Sequence, residues 1–475
     1  MNVLFVASEC IPFVKTGGLA DVIGSLPQEV KSQQQDADIR VMLPYYDEIA
    51  SEWQEKMEEV ACFHVPVGWR NQHTVIFQLV HREIVYYFVA NDYYFSRKGI
   101  YGYYDDGERF VYFAHAVVDA LAHLDFAPEI IHAHDWQAGL VPALSKIILP
   151  EKNIRTVFTI HNIKYQGLIP PDMFDDFFQL SREHFGGLEW RGMINCMKSG
   201  IFHADKITTV SPSYAKEIID PHFGEGLDPI LRERENDVTG IINGVDLSEF
   251  NPQTDPFVPV PFTYSKLKKK ENKLLLQERL RLPEAPDIPM YILVSRLVEQ
   301  KGLPLLQHII GEFVQENIQL VILGTGDPEF EWCFQEWARR FPEKVSAQMT
   351  FDEALARHMY AGADFLLMPS QFEPCGLSQL IAFQYKTVPI VRETGGLKDT
   401  VQPYNEMTCE GNGFSFTHYN AHDFLHVLRY SLQIYHDDVH WAQLYKNVTK
   451  TQFSWKDSAA VYTALYQSLE NKVYS

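Results

Sequence analysis

The sequence predicts an α/β protein built from two related halves, each containing a parallel β-sheet. Short apolar runs rich in β-branched residues alternate with amphipathic helical stretches, which is typical of strands covered on both faces. The chain has 475 residues, more than one hydrophobic core usually supports. The pattern Thr-Gly-Gly-Leu-x-Asp also occurs twice, at residues 16–21 and 394–399. Two copies so far apart indicate two related halves that face one cleft.

The predicted strands fall into two groups. The first group comprises residues 3–7, 39–43, 84–90, 130–133, 156–160 and 207–210. The second group comprises residues 290–294, 320–323, 364–368 and 388–391. Because helical stretches separate successive strands, we expect crossover connections and parallel pairing in both groups.

A segment rich in proline and lysine, residues 245–289, interrupts this rhythm. We therefore predict an N-terminal domain over residues 1–244 and a C-terminal domain over residues 245–455. The aromatic and aliphatic spacing after Trp455 predicts that residues 456–475 form a helix that packs back on the N-terminal domain. The lysine-rich stretch at residues 266–273 is expected to form a solvated helix face.

Composition excludes several functional classes. The formal net charge of −21 would repel nucleic acid, although a small anionic substrate could still bind where a few cations gather. The six cysteines are scattered without a Cys-x-x-Cys pair, which favours reduced thiols over disulfides or zinc ligands. No apolar run approaches the ~20 residues of a membrane helix. We expect a soluble cytoplasmic protein with no membrane partner.

Each Thr-Gly-Gly-Leu-x-Asp copy follows an apolar run and leads into a helical stretch. This layout can present backbone N–H groups and a positive helix end to an anion, and glycine permits the close approach that an anion requires. Lys15 precedes the first copy, so we favour ligand contact there. For the second copy, a tight strand-to-helix turn without a ligand is an equally good interpretation.

Polar residues also gather at the carboxyl ends of the predicted strands, where ligands bind in open parallel sheets. Arg296 and Lys301 follow one strand and could neutralise a diphosphate without a metal. Glu373 follows another strand, and the proline and glycine after it suit a turn whose amides, with the carboxylate, hold sugar hydroxyls. His132 and His134 share one strand face, but no further ligand spacing accompanies them, so we predict no metal site.

These motifs together resemble those of bacterial glycogen synthases and plant starch synthases. The resemblance covers nearly the whole chain, in order and at the family's spacing. The motifs are Lys-Thr-Gly-Gly-Leu-Ala-Asp-Val at residues 15–22, His-Ala-His-Asp-Trp at 132–136, Phe-Thr-Ile-His-Asn at 158–162, Asn-Gly-Val-Asp at 243–246, Ser-Arg-Leu at 295–297, Gln-Lys-Gly at 300–302 and Glu-Pro-Cys-Gly-Leu at 373–377.

The resemblance implies a GT-B architecture of two Rossmann-like domains around a central cleft. It implies transfer of glucose from ADP-glucose to the non-reducing end of an α-1,4-glucan such as glycogen, with retention of configuration. The N-terminal domain would then lie on the acceptor side and the C-terminal domain on the nucleotide-sugar side. No cofactor, metal or nucleic acid is implied.

Carried over by position, the resemblance also implies site residues. The implied catalytic residues are Lys15, Asp21, His161, Arg296, Lys301 and Glu373. The implied donor-binding residues are Gly17, Gly18, Asn243, Phe351, Cys375, Gly376 and Leu377, of which Phe351 would stack on adenine. The implied acceptor-side residues are Trp136 and Asn162.

Two other functions remain open at this point. One is another retaining GT-B transferase with a different donor or acceptor, such as a sucrose- or trehalose-forming enzyme. Many of these enzymes carry a second glutamate eight residues after the first, and here that position is Ile381. The other is a scaffold that binds glucan without catalysis, although such a protein would be free to lose the cations that this chain retains. The sequence also leaves open whether the donor carries ADP or UDP.

Overall fold

The computed structural model describes residues 1–470 and divides the chain into two compact units. Unit 1 consists of Met1–Ile241 together with the C-terminal segment that begins at Trp455. Unit 2 consists of Ile242–Ser454. Within the described residues, no helix has the length and apolar character needed to cross a membrane.

Unit 1 is built on a nine-stranded sheet, which we call the N-sheet. In spatial order its strands are Val238–Gly240, Lys206–Thr209, Arg155–Ile160, Ile130–His134, Asn2–Val6, Asp38–Pro44, Ile84–Ala90, Arg70–His81 and Glu58–Val67. The first seven pair in parallel, which confirms the predicted parallel sheet.

The last two strands of the N-sheet were not predicted, and they pair antiparallel. Glu58–Val67 and Arg70–His81 alternate polar and apolar side chains and expose many of them. Strands that are half exposed lack the continuous apolar run by which buried parallel strands are recognised. The expectation of an all-parallel sheet is therefore wrong at this edge of unit 1.

Helices cover the N-sheet. They are Gly18–Gln33, Ser51–Gln54, Asp92–Phe95, Asp106–Ala120, Val141–Ile148, Phe174–Phe177, Phe185–Leu188, Cys196–His203, Pro212–Glu217, Asp228–Glu233 and Trp455–Glu470. A separate small antiparallel sheet has the strand order Leu168–Ile169, Met193–Asn195, Glu189–Trp190.

The C-terminal helix Trp455–Glu470 belongs to the core of unit 1. Trp455, Tyr462 and Tyr466 are buried with Phe5 in one hydrophobic cluster. The aromatic spacing that predicted a docked helix is thus the spacing of its buried face. Residues 471–475, the end of that predicted segment, lie outside the described residues.

Unit 2 contains a six-stranded parallel sheet, the C-sheet. Its strands, in spatial order, are Val345–Gln348, Gln319–Leu323, Met290–Val294, Phe365–Met368, Val388–Arg392 and Phe414–Phe416. Its helices are Lys266–Leu280, Leu303–Phe313, Pro328–Arg340, Glu353–Gly362, Ser378–Gln384, Gly395–Thr400, Ala421–His436 and Asp438–Lys450. The strands and helices enclose one continuous apolar core.

The lysine-rich helix Lys266–Leu280 is only partly solvated, so the expectation of a solvated face is wrong for two of its lysines. Lys269 is buried, and its Nζ donates to the carbonyls of Tyr360, Ala361 and Tyr385 and to the Thr387 hydroxyl. Burial lowers the pKa of Lys269 to about 7. Lys273 is also buried and pairs with Asp364 at 2.6 Å. These contacts fix the helix to the C-sheet.

Candidate active site

The first Thr-Gly-Gly copy in unit 1 folds around a carboxylate of the chain itself. The N–H groups of Thr16 and Gly17 donate to Glu9 Oε2 at 2.6 and 3.0 Å. The Thr16 hydroxyl and the Tyr101 hydroxyl also donate to Glu9, at 3.1 Å each. Sequence reasoning assigned these two amides to an anionic ligand, whereas here they hold the loop against Glu9. Gly18 then opens the helix Gly18–Gln33.

Lys15 stands beside this loop with about half of its side chain exposed to solvent, and its Nζ lies 2.6 Å from Asp21 Oδ1. Asp21 lies in the first turn of the helix Gly18–Gln33, where the positive helix end favours a carboxylate. The structure therefore brings Lys15, Gly17, Gly18 and Asp21 together. An exposed ammonium held near a helix start suits contact with an anion.

A buried polar group lies at the carboxyl end of the strand Ile130–His134. His134 Nδ1 is 3.0 Å from His161 Nε2. The Asp135 carboxylate accepts a hydrogen bond from the backbone N–H of His161 at 2.7 Å. Burial lowers the pKa of His161 to about 3 and raises the pKa of Asp135 to about 7. His161 is therefore a neutral imidazole at pH 7, and its position is fixed from two sides.

The two residues predicted on the acceptor side lie next to this group. The Trp136 ring packs edge-on against Phe110, with ring centroids 5.1 Å apart. It also covers Gly167, whose φ is +63° and where a Cβ would lie 2.2 Å from the Trp136 ring. The Asn162 side-chain oxygen accepts the Lys164 N–H at 3.1 Å, which fixes the turn after the strand Arg155–Ile160.

In unit 2 the central contact is the ion pair between Lys301 and Glu373, with Nζ and Oε2 2.6 Å apart. The Ser370 hydroxyl donates to the same Glu373 oxygen at 3.0 Å. Lys301 reaches Glu373 because Gly302, at φ +74°, lets the chain pass close to Pro369, where a Cβ would lie 1.9 Å from the Pro369 oxygen. Two of the predicted residues are thus in direct contact.

The second Thr-Gly-Gly copy supports the Glu373 turn from behind. The Gly396 N–H donates to the carbonyls of Glu373 and Pro374, at 3.2 and 3.1 Å. A Cβ on Gly395 would lie 2.1 Å from the Glu373 carbonyl oxygen, and a Cβ on Gly396 would lie 2.1 Å from the Cys375 carbonyl oxygen. Of the two interpretations, the structure favours the tight supporting turn.

The residues after Glu373 form a loop that leads into the helix Ser378–Gln384. Gly376 has φ +73°, a conformation that a side chain would strain. Burial raises the pKa of the Cys375 thiol to about 12, and hydrogen bonding to Asn243 opposes that shift. Asn243 therefore contacts the loop that contains Cys375, Gly376 and Leu377, and donor binding by these residues remains a prediction.

Arg296 and Phe351 are the exposed members of the predicted set in unit 2. Arg296 follows the strand Met290–Val294 and makes no ion pair or side-chain hydrogen bond within residues 1–470. Gly324 and Gly326 let their loop pack against the backbone on either side of Arg296, where a Cβ on Gly324 would lie 1.9 Å from the Ser295 oxygen. Phe351 is 91% exposed, so its ring is available for stacking.

Sequence reasoning missed the roles of two residues that shape these groups. Glu9 was missed because its role depends on the loop at residues 15–17 folding back over it. Ser370 was noticed at the end of a predicted strand but given no role, because a serine there gives no signal of its acceptor. Within the described part of the chain, no cluster of three His, Cys, Asp or Glu residues is arranged to hold a metal. The absence of a metal requirement remains a prediction.

Comparison with known proteins finds relatives that match nearly the whole chain. A family model described as the starch synthase catalytic domain matches residues 2–233, and one described as glycosyl transferases group 1 matches residues 277–450. The glycogen synthase of Oceanobacillus iheyensis is 57% identical over 469 residues, covering 99% of this chain and 98% of that protein. The glycogen synthase of Alkaliphilus metalliredigens is 50% identical over 476 residues, covering 99% and 100%.

Among solved structures, the catalytic domain of starch synthase IV from Arabidopsis thaliana, bound to ADP and acarbose, has a TM-score of 0.89 at 31% identity and 98% coverage of both chains. The sucrose-phosphate synthase of Thermosynechococcus elongatus, at 16% identity, a TM-score of 0.63 and 99% coverage of both chains, shares the fold alone. The predicted GT-B fold class is thereby confirmed. The full-length matches show that the chain belongs to the glycogen synthase and starch synthase family of glycosyltransferases.

Proposed function

We propose that this enzyme transfers glucose from ADP-glucose to the non-reducing end of an α-1,4-glucan, with retention at the anomeric carbon. The observation that carries the proposal is the contact between Lys301 and Glu373, in a chain that matches glycogen synthases over its full length. A cation and a carboxylate side by side suit a ligand with phosphate oxygens next to sugar hydroxyls. The ADP bound to the starch synthase IV domain supports an adenine nucleotide as the donor.

We assign donor binding to unit 2. Arg296 and Lys301 would bind the diphosphate, because a guanidinium and an ammonium together can neutralise it. Glu373 and the amides of Cys375, Gly376 and Leu377 would hold the glucose hydroxyls. The exposed Phe351 ring would stack on adenine, and Asn243 would support this loop from its contact with Cys375.

We assign the acceptor side to unit 1, with some of its residues also reaching the transferred glucose. Lys15 would add a third cation near the donor phosphates, with Gly17 and Gly18 allowing close approach. Asp21 and the neutral His161 would contact the transferred glucose. The fixed ring of Trp136 and the Asn162 side chain would line the path of the glucan.

The residue types favour same-face attack over a double displacement. Departure of the nucleotide leaves negative charge on the diphosphate, which Lys15, Arg296 and Lys301 would stabilise by electrostatic preorganisation. A double displacement needs a carboxylate nucleophile beneath the anomeric carbon. One oxygen of Glu373 is already paired with Lys301 and Ser370, and we assign this carboxylate to the glucose hydroxyls instead. In this mechanism the leaving phosphate takes the proton of the attacking glucan hydroxyl. Trapping a covalent glucosyl-enzyme on Glu373 would contradict it.

The decisive experiment is a nucleotide-release assay with glycogen as acceptor. ADP-glucose and UDP-glucose are compared with and without EDTA, and the product is digested to confirm new α-1,4 linkages. We expect ADP release that depends on glycogen and is unchanged by EDTA. Preference for UDP-glucose, or for sucrose or trehalose precursors as acceptors, would support a different transferase. Glucan binding without release from any donor would support a scaffold.

We further propose that the enzyme works in the cytoplasm. All six cysteines are free thiols in the structure, as is usual for proteins of a reducing compartment. Fractionation of the cells that produce it, followed by the same release assay, would test this location. Activity recovered outside the soluble fraction would contradict it.

A further inference from the structure

His134 lies at the end of the strand Ile130–His134, next to His161. Its side chain is fully buried, and its Nδ1 is 3.0 Å from His161 Nε2. Phe5 stacks against the His134 ring, with centroids 5.9 Å apart and planes within 17°. The two imidazoles are therefore held in a single mutual orientation.

A hydrogen bond between two neutral imidazoles has only two proton arrangements. Burial lowers the pKa of both histidines, well below its usual range for His134 and to about 3 for His161, so each ring carries one proton at pH 7. Either His134 donates from Nδ1 to His161, or His161 donates from Nε2 to His134. The direction of this hydrogen bond decides whether the single ring proton of His161 is on Nδ1 or on Nε2.

The other nitrogen of His134 separates the two arrangements. His134 Nε2 is buried and has no hydrogen-bond partner among the described residues. If His161 donated, the His134 proton would sit on Nε2 as a buried N–H without an acceptor, which native proteins rarely tolerate. If His134 donates, Nε2 carries only a lone pair. The geometry therefore favours donation from His134 to His161.

The neighbouring His132 cannot relieve the buried Nε2. The ring centroids of His132 and His134 are 4.1 Å apart, but both His132 nitrogens already have partners. Nδ1 is 2.7 Å from the Tyr466 hydroxyl, and Nε2 is 2.6 Å from the Thr159 hydroxyl. The paired histidines of the His-Ala-His motif thus form a fixed column without a free acceptor for His134.

We propose that His134 is a positioning residue that fixes His161 as the tautomer with its proton on Nδ1. That nitrogen makes no hydrogen bond within residues 1–470, so it is the one available to a ligand. His161 would then present a neutral N–H donor to a sugar oxygen and would not accept a hydroxyl proton. The statement about sugar rests on the proposed function, whereas the tautomer does not.

The tautomer can be measured directly by ¹⁵N NMR on protein labelled at its 18 histidines. A His161→Gln variant assigns the His161 signals by their loss. We expect His161 in wild-type protein to show a protonated Nδ1 and an unprotonated Nε2. A His161 signal with the proton on Nε2 would overturn the proposal, whatever the enzyme's activity.

Two substitutions of similar size test the direction of the hydrogen bond. Asn at position 134 can place an amide N–H near the position of Nδ1, whereas an ionised Asp can only accept, so the Asp variant is measured at a pH high enough to keep it ionised. We expect His134→Asn to keep the Nδ1–H signal of His161 and to lower kcat by no more than about 5-fold. His134→Asp should move the proton to Nε2 and lower kcat by about 50-fold or more, with a smaller change in KM. Equal losses in both variants, with the same spectrum, would overturn the proposal.

A matched control separates positioning from general damage. His115 is another buried histidine of unit 1 whose pKa burial lowers, to about 4, so His115→Asn removes a buried imidazole outside the column. We expect its kcat to match wild type after correction for folded fraction. If His134→Asp does not fold, the spectra of wild type and His134→Asn still decide. Absence of transfer by the wild type would count against the proposed function and leave the tautomer result intact.

Discussion

The two Thr-Gly-Gly-Leu-x-Asp copies are identical at five of six positions but differ in their contacts. In unit 1 the amides of Thr16 and Gly17 donate to the side-chain carboxylate of Glu9. In unit 2 the Gly396 amide donates to backbone carbonyls at the Glu373 turn. Both copies follow a strand and open a helix. The pattern therefore marks the start of a helix in both copies, while the acceptor of its amides is set elsewhere.

The residues that precede each copy extend the difference. Lys15 precedes the first copy and projects an exposed ammonium beside Asp21. Glu393 precedes the second, and its carboxylate accepts hydrogen bonds from Ser415 and Thr417, at 2.8 and 3.2 Å. The first copy thus lies beside an exposed ion pair, and its contact with a ligand remains a proposal. The second is a support for Glu373.

The largest effect should come from removing the cation of the first copy. We expect Lys15→Ala to lower kcat with ADP-glucose about 10²- to 10³-fold, equivalent to ~3–4 kcal/mol, because a fixed positive group near the leaving diphosphate is lost. Glu393→Ala is the control at the matching position of the second copy, and it should change kcat by less than about 3-fold, because its carboxylate accepts from Ser415 and Thr417, which are not proposed site residues. Steady-state release of ADP measures both. Similar losses in the two variants would remove the functional distinction between the copies.

The next effect compares the first glycine of each copy. At Gly395, φ is +46° and a Cβ would lie 2.1 Å from the Glu373 oxygen, so we expect Gly395→Ala to lower the free energy of unfolding by ~2–4 kcal/mol. At Gly17, φ is −148° and the nearest atom to a Cβ would be 3.8 Å away, so Gly17→Ala should change stability by less than ~1 kcal/mol. Urea unfolding followed by circular dichroism measures both. Equal destabilisation would show that the first copy is packed as tightly as the second.

The sequence predicted most of the parallel strands of both sheets. It did not predict the contacts that fix the two Thr-Gly-Gly-Leu-x-Asp copies in place. Strands such as Thr156–Ile160 of the predicted set were identified because both of their faces are apolar, and the structure extends this one by a single residue, to Arg155–Ile160. The strand Arg70–His81 was missed because its exposed face is polar. The Glu9 contact was missed because it depends on how a loop closes, and local periodicity carries no information about that.

The candidate site likewise contains contacts that the sequence predicted, whereas other contacts of unit 2 were not predicted. Motif spacing placed Lys301 and Glu373 near two strand ends, and the structure brings them to 2.6 Å. The buried Lys269 could not be foreseen, because its acceptors come from two distant stretches of chain, residues 360–361 and 385–387. The catalytic and binding roles of the site residues remain predictions that the experiments above address.

A smaller effect sharpens the role of Glu9. Glu9→Gln keeps the size of the side chain but removes the charge that accepts the amides of Thr16 and Gly17. A hydrogen bond to a charged group contributes about 1 kcal/mol more to stability than one between neutral groups. We therefore expect the free energy of unfolding of unit 1 to fall by ~1–2 kcal/mol. Hydrogen exchange should accelerate at the amides of Thr16 and Gly17 and stay unchanged at Gly396. Glu393→Gln is the control, and unchanged exchange at the first copy would contradict the Glu9 contact.

A pH-dependent effect concerns the strand that leads into the second copy. Lys269 donates to Tyr385 and Thr387 immediately before the strand Val388–Arg392, and burial lowers its pKa from 10.5 to about 7. Between these two pH values the unfolded chain holds a proton that the folded chain does not, so this group makes the free energy of unfolding rise with pH, by up to ~1.4 kcal/mol per pH unit. Below pH 7 both states are protonated and the contribution is flat.

Lys269→Met should remove that slope. In urea titrations we expect the free energy of unfolding of wild type, minus that of Lys269→Met, to increase from pH 7 to pH 9. The reason is that only the wild type contains the amine that loses its proton on folding in this range. Lys268→Met, at the exposed neighbouring position, should run parallel to wild type at every pH. No counterpart of Lys269 contacts the strand Asn2–Val6 before the first copy, among the side-chain contacts of the described residues. If the free energy of unfolding of wild type and of Lys269→Met had the same pH dependence, the amine would stay charged in the core. The second copy would then not be anchored through a neutral lysine.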